Sequence, residues 1–298
     1  MNNRHNKINW ESGLFITSEI LNANDNFFLH YLNVLGHLNI LKSYGVFPSE
    51  SGRYNYHAES KIENSKIIIT QLSCVAITKN GHIINFNNDM EFPYILNLDE
   101  FNNYSDIHVI LKINPYKYIK LTDSDYSIPE YELSLKQINR LTDYEIPVLK
   151  IKNIGHYHWE IDEDYILPSV SLSSDPKIYA KFKLILEKIE QITSLEIKND
   201  NLLMQLYLFQ TELKNYSLSE YPFDLILLLK KICEVFTKYS ENDLIKCKEL
   251  ADCRYDHLQI DKMLNLGVEC LDEIIQNFEI KKAEEKPVKV EEDDTDSI

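Results

Sequence analysis

Glycine is scarce in this sequence, with 7 among 298 residues, and the few are widely separated. A loop that cradles phosphate needs clustered glycines where a strand feeds a helix. Neither GxxxxGK[ST] nor GxGxxG occurs, which disfavours nucleotide hydrolysis. A GxSxG nucleophile elbow is missing too; the nearest stretch, SESG at 49–52, lacks the first glycine, which disfavours a serine hydrolase. Long apolar runs are absent: nowhere do 18 apolar residues follow one another, so no helix is expected to span a bilayer. The opening MNNRHNKINW holds no apolar run that could serve as a signal segment. Cysteines number 5, an odd and scattered set (Cys74, Cys233, Cys247, Cys253 and Cys270), which reads as a reduced, cytoplasmic protein. Positive charge is in deficit. With 31 basic against 47 acidic residues the formal charge is −16, a field that repels phosphate backbones and anionic membrane surfaces, so nucleic acid is not an expected partner.

What is there is globular: 44% hydrophobic, 11% aromatic and 26% charged residues, on a chain long enough for one large or two ordinary domains. The pattern changes near residue 172. Before it lie all the glycines but Gly267, with short runs rich in β-branched and aromatic residues: KIIITQLSCVAI from Lys66, HIINF from His82, DIHVILKI from Asp106 and IPVLKI from Ile146. These read as strands, with KNG at 79–81 as a turn in which Gly81 takes positive φ. One helix is expected there, from Thr17 to Leu41, where Ile20, Phe27, Tyr31, Val34, Leu38 and Leu41 follow helical spacing.

After Leu172, Asp175 and Pro176 suit an N-cap and a first helical position. Ile178, Phe182, Ile185, Ile189 and Ile192 then step by four and three, a heptad-like seam. The spacing recurs in Leu202, Leu206, Phe209 and Leu213, in Leu225, Leu229, Ile232, Phe236 and Tyr239, and in Ile260, Leu264, Gly267, Leu271, Ile274 and Phe278. Such stripes must be covered, either by one another in an intrachain bundle or by a second copy. Residues 281–298, KKAEEKPVKVEEDDTDSI, hold almost no large apolar residue and read as a disordered charged tail.

Groups that could carry chemistry are few. His156 and His158 share one face of a strand, with Asp162, Glu163 and Asp164 just beyond, but a zinc site needs a second cluster, and Cys247 and Cys253 in a helical region do not supply one. No metal or cofactor is expected. Asp125 and Glu130 are the place to look for an acid–base pair, against the simpler reading of a polar loop. Tyr54, Tyr56, Tyr116, Tyr118, Tyr126 and Tyr131 are read as exposed and fit carbohydrate and protein surfaces equally well.

Four stretches together resemble one family, the type VI secretion baseplate component TssK. INWESGLFI at 8–16 resembles its opening W-x-E-G-M-x-L, with Trp10 and Phe15 in phase and Gly13 in place if Ser12 fills a gap. LKSYGVF at 41–47 resembles its Tyr-Gly turn, and VAITKNGHIINF its hairpin. The fourth runs from IPVLKIKN through HWEIDEDYILPSVSLSSDPKIYAKF, where Trp159, Asp162, Tyr165, Ile166 and Pro168 match the order of an Ile-Pro strand, a Trp, an Asp and a Phe-Ile-Pro-Pro step into a helix. The chain departs from the family at TSEILNA, where Pro-Gln-His-Phe-Gln is usual, and at Leu167, which replaces the first of two prolines.

The resemblance implies an α+β protein: a β-sandwich shoulder like that of phage receptor-binding proteins over residues 1–172, and a helical neck over 173–280. It implies a homotrimer joined along the neck by Ile178, Phe182, Ile185, Ile189, Ile192, Leu225, Leu229 and Ile232. The arm formed by Trp10, Glu11, Gly13, Leu14 and Phe15 would contact a partner, and Trp159, Asp162, Tyr165, Ile166 and Pro168 would form the shoulder–neck junction. Implied partners are the wedge proteins TssF and TssG, in a structural and non-enzymatic role. Family members carry a further head domain that reaches the inner-membrane complex. Its absence here would suit a short, Bacteroidota-type form in which the distal neck or tail docks a membrane anchor. Two rival readings are a phage-like receptor- or glycan-binding module and an acidic glycan hydrolase.

Overall fold

The computed structural model describes residues 15–39, 43–48, 54–87, 92–120, 127–138, 141–155, 158–195, 197, 199–217, 219–239 and 243–284. The fold is mixed α+β: one helix, then the strands, then the remaining helices. Two compact units emerge: Met1–Tyr179 with Leu218–Phe223 and Asp256–Asp261, and Ala180–Ser217 with Asp224–Tyr255 and Lys262–Ile298.

The first unit begins with α1 (Ser18–Asn39), whose Thr17 hydroxyl accepts the Ile20 N–H at 3.3 Å. In its first sheet β3 (Lys66–Ile77) is the spine, to which β1 (Gly45–Val46), β2 (Tyr56–Glu63), β4 (Ile83–Asn87) and β5 (Tyr94–Asn97) all pair antiparallel. Strand β3 buries Ile67 and Ile69 and then, out of phase, Leu72, Cys74 and Ala76. The register shift opposite Glu59 and Ser60 explains this, because one extra residue on a strand changes which parity faces the core. The β2–β3 hairpin turns through Asn64 and Ser65, both at positive φ (50° and 56°), a two-residue turn made without glycine.

The second sheet runs β7 (Ser127–Lys136), β6 (Asp106–Lys120), β8 (Glu145–Gly155) and β9 (His158–Ile161). Ile67, Leu72, Ile84 and Phe86 from the first sheet share one buried cluster with Ile107, Val109, Leu111, Ile146 and Val148 from the second, which makes the pair a sandwich. The expected strands at Lys66, His82, Asp106 and Ile146 are β3, β4, β6 and β8, and Gly81 has φ +84°.

Helix α2 (Pro176–Ser194) starts where Asp175 caps it: the carboxylate accepts the Lys177 N–H at 2.8 Å and the carbonyl accepts the Tyr179 N–H at 3.2 Å. There follow α3 (Asp200–Lys214), α4 (Pro222–Tyr239), α5 (Ile245–Asp252) and α6 (Ile260–Glu284). Helix α6 continues to Glu284, so the tail expected from residue 281 is helical for its first four positions; the rest lies outside the described residues. At Gly267 an added Cβ would sit 2.7 Å from Leu229 Cδ1, so the missing side chain is what lets α4 and α6 approach there.

Helix α5 is too short to hold its shape alone. Glu273 on α6 accepts the N–H groups of Ile245, Lys246 and Cys247 at 2.9, 3.0 and 3.2 Å. At the other end Lys230 on α4 donates to the carbonyls of Ala251 and Cys253. A carboxylate at the N-terminus and an ammonium at the C-terminus both complement the helix dipole.

The seam residues of the second unit, Phe182, Ile185, Ile189, Ile192, Leu225, Leu229 and Ile232, are all buried within a single chain, as is Ile178 at the start of α2. These positions are thus covered intramolecularly, while Phe209, Tyr239 and Phe278, which continue the stripes, are half-buried. Ile189→Ala is expected to lower unfolding free energy by about 2–5 kcal/mol while leaving the native mass unchanged, read by urea denaturation and light scattering.

Candidate functional site

The Tyr-Gly turn and the segment around Pro168, far apart in sequence, meet in the first unit. Gly45 has φ +124°, and a Cβ built on it would lie 1.9 Å from the Pro168 carbonyl oxygen, so only glycine fits. The chain beyond Pro168 runs along β1: Val46 N–H donates to the Pro168 carbonyl at 2.8 Å, and Val170 N–H donates to the Val46 carbonyl at 3.0 Å. Tyr44 lies against His257, ring centroids 4.5 Å apart, and the His257 Nε2–H donates to the Tyr44 carbonyl at 2.5 Å.

Beside this contact is a buried ionic cluster. Lys150 on β8 is 7% exposed, and its ammonium lies 3.5 Å from Asp162 and 4.0 Å from Asp261 at the start of α6. Asp162 also takes Lys152 at 2.8 Å and accepts the Asp164 N–H at 3.3 Å. The bond from Asp162 holds the Lys152 ammonium above its ordinary pKa. Tyr165 brings its ring to within 5.7 Å of the Lys150 ammonium and 5.3 Å of the His108 ring. Burial pushes its phenol well up, and among the described residues nothing bonds its hydroxyl. What Tyr165 contributes is its ring. Trp159 is buried and donates from Nε1 to Asn102 at 3.4 Å, while Ile166 is buried beside Tyr165.

All five residues of the expected junction therefore lie in the first unit and pack inward, and three of them (Asp162, Tyr165 and Pro168) belong to this one constellation. Its other members, Lys150, His257 and Asp261, carried no signal in the sequence beyond their type. Trp10, Glu11, Gly13 and Leu14 lie outside the described residues, and Phe15 is 81% exposed.

The acid–base candidates do not come together. Asp125 lies outside the described residues. Glu130 accepts from Lys117 and Asn114, and Lys117 holds its carboxyl below the usual range. Glu130, Glu132, Tyr116, Tyr131 and Tyr144 line a surface cleft of about 450 Å³, in which Glu132 is paired with Lys112 at 3.2 Å. Tyr54, Tyr116 and Tyr118 are exposed as expected; Tyr131 is instead buried and Tyr56 turns inward to the Val148 carbonyl. Tyr126 lies outside the described residues, as does His156, and His158 faces solvent near Glu160. Cys247 does not meet Cys253; it meets Cys233 and Cys270.

What these contacts hold in shape is a two-sheet sandwich whose last segment folds back on a Tyr-Gly turn before the chain enters its helices. Among the solved structures to which this chain is similar are several of the type VI secretion baseplate. A chain in the TssK–TssF–TssG baseplate subcomplex is 15% identical with TM-score 0.66, over 92% of this chain and 99% of that one. A crystal structure of TssK gives 12% identity and TM-score 0.61, over 91% of this chain and 72% of that one. TssK from the EAEC type VI secretion system, bound to a nanobody, gives 15% and 0.59, over 85% and 67%. At these identities the likeness is one of fold. No protein-family model matches the sequence, and no curated protein matches it.

Lys150→Met, which keeps the stem and removes the charge, is expected to cost about 3 kcal/mol in urea denaturation by removing the buried ammonium that Asp162 and Asp261 both approach, and adding Asp261→Asn to recover part of the loss. A second expectation concerns pH. Burial lowers the His257 imidazole from 6.5 to about 4, so the unfolded chain binds the proton first as pH falls. Stability from this group is present above pH 6.5 and is lost towards pH 4, by up to about 3 kcal/mol. Urea midpoints measured across that range should fall more steeply for the native sequence than for His257→Gln, which keeps a donor for Tyr44 and does not titrate.

Proposed function

We propose that this protein is a structural, non-enzymatic component of a type VI secretion baseplate, working in the cytoplasm as a homotrimer bound to TssF and TssG. Residues 1–172 act as the shoulder and 173–280 as the neck. The supporting observation is the agreement of fold with TssK and baseplate-subcomplex structures over 85–92% of the chain. Because the helical seams are covered within one chain, the trimer contact uses other apolar surface: Met204, Tyr207 and Leu208 form an exposed patch on α3. The N-terminal arm, with Phe15 exposed, meets a partner. The distal neck or the charged tail docks a membrane anchor; if it is the tail, deleting residues 281–298 releases the baseplate from the membrane.

The test is the native mass of the purified chain, alone and mixed with TssF and TssG. The expected result is about 105 kDa, three times 35.1 kDa, moving to a larger stable complex on mixing, with Met204→Lys/Leu208→Lys reducing the mass to that of one chain. A monomer that ignores both proteins overturns the reading. A trimer that ignores them and is retained by glycans instead favours the receptor-binding alternative.

A further inference from the structure

Three of the five cysteines converge inside the second unit. Cys233 comes from α4, Cys247 from the first turn of α5 and Cys270 from α6, and their sulfurs all lie within 4.8 Å of one another. Each is buried. A lone buried cysteine is ordinarily a small hydrophobe in a core; Cys74 in β3 is one. Three sulfurs from three helices meeting at one point ask for more, since a small apolar volume is filled equally well by alanine or valine.

We propose that Cys233, Cys247 and Cys270 form a site for one soft, thiophilic d10 metal ion, copper(I) or zinc(II), held by three thiolates that join α4, α5 and α6. The donor set fixes the class: thiolate sulfur selects soft ions, whereas calcium and magnesium require oxygen ligands. The spacing fits as well. With metal–sulfur bonds of about 2.3 Å, trigonal or tetrahedral geometry places sulfurs roughly 3.7–4 Å apart, within small side-chain adjustments of their positions here. A disulfide would need two of them at about 2.05 Å and would leave the third out. The site also lies where a cross-link is useful, because α5 buries only Cys247 and Leu250 of its own residues.

Binding is a proton exchange with no redox step: the metal ion displaces one proton from each of three thiols to water, leaving a net charge of −1 with zinc(II) or −2 with copper(I). Zinc(II) completes its usual four ligands with a group other than these cysteines, while trigonal copper(I) needs no fourth. Glu273, whose carboxylate accepts the Cys247 N–H, is already engaged in holding the start of α5.

The full chain, reduced and stripped by a chelator, is titrated anaerobically with zinc(II), or with copper(I) against a competing chelator. The expected result is one equivalent bound per chain, an ultraviolet thiolate-to-metal charge-transfer band, a higher melting temperature and an affinity that rises with pH. Competition between the two metals decides which ion is preferred. Cys233→Ala, Cys247→Ala and Cys270→Ala should each abolish the band, and Cys74→Ala and Cys253→Ala should leave it intact. The proposal is overturned if the folded native sequence takes up neither metal, or if uptake survives loss of Cys233 or Cys270. It is also overturned if peptide mapping of protein purified without reductant finds two of the three joined as a disulfide and reduction does not bring metal binding.

Discussion

A lysine ammonium cut off from water has to be neutralised where it stands, and much of the first unit is arranged around doing so for Lys150. Its strand, β8, is central in the second sheet and cannot move without disturbing the sandwich core. The two carboxylates that answer it come from elsewhere in the chain: Asp162 just after β9, and Asp261 at the start of α6. Each must lie where its side chain reaches the ammonium, which fixes both segments to the sheet. The segment after Asp162 then has one course, past Tyr165 over the ammonium and along β1 at Pro168, and Gly45 is the residue that leaves room for it. Replacing such a cluster by apolar side chains need not cost stability, so its charges are better understood as fixing where these segments go than as a source of folding energy.

The helices meet their needs differently. Their apolar stripes are long and regular, the pattern expected of a stalk made from several chains, yet the structure covers them from within one chain. Heptad spacing states that a stripe needs a cover and does not say whose side chains provide it. Surfaces that remain open, such as the α3 patch, stand away from the seam and have no comparable regularity. Regular spacing and an open surface are thus separate features of these helices.

Much of this was legible in the sequence where periodicity is strong. Strands β3, β4, β6 and β8 carry runs of β-branched residues, α1, α2, α3, α4 and α6 carry stripes, and Asp175–Pro176 announces the start of α2. Strand β2 was not read because its inward positions include Ser60 and its outward ones are charged, as an edge strand requires. The turn at Asn64 and Ser65 lacks glycine, the residue that usually marks positive φ. Helix α5 has two buried residues and is held by side chains of α4 and α6, so its own sequence carries little of the information. The junction was half visible. Asp162, Tyr165 and Pro168 stand out through the resemblance to the TssK pattern, while Lys150, His257 and Asp261 join them only through the fold, and the cysteines look scattered for the same reason.

Because both ends of α5 are held by charged groups of its neighbours, it cannot peel away by itself. Opening it would strand the Glu273 carboxylate and the Lys230 ammonium against backbone they were placed to bind. Local fluctuation, the usual behaviour of so short a helix, is thereby converted into a shared event. The amides of α5 would exchange with solvent only when α4 and α6 part as well, so the smallest element of the unit would report on the cooperativity of the largest.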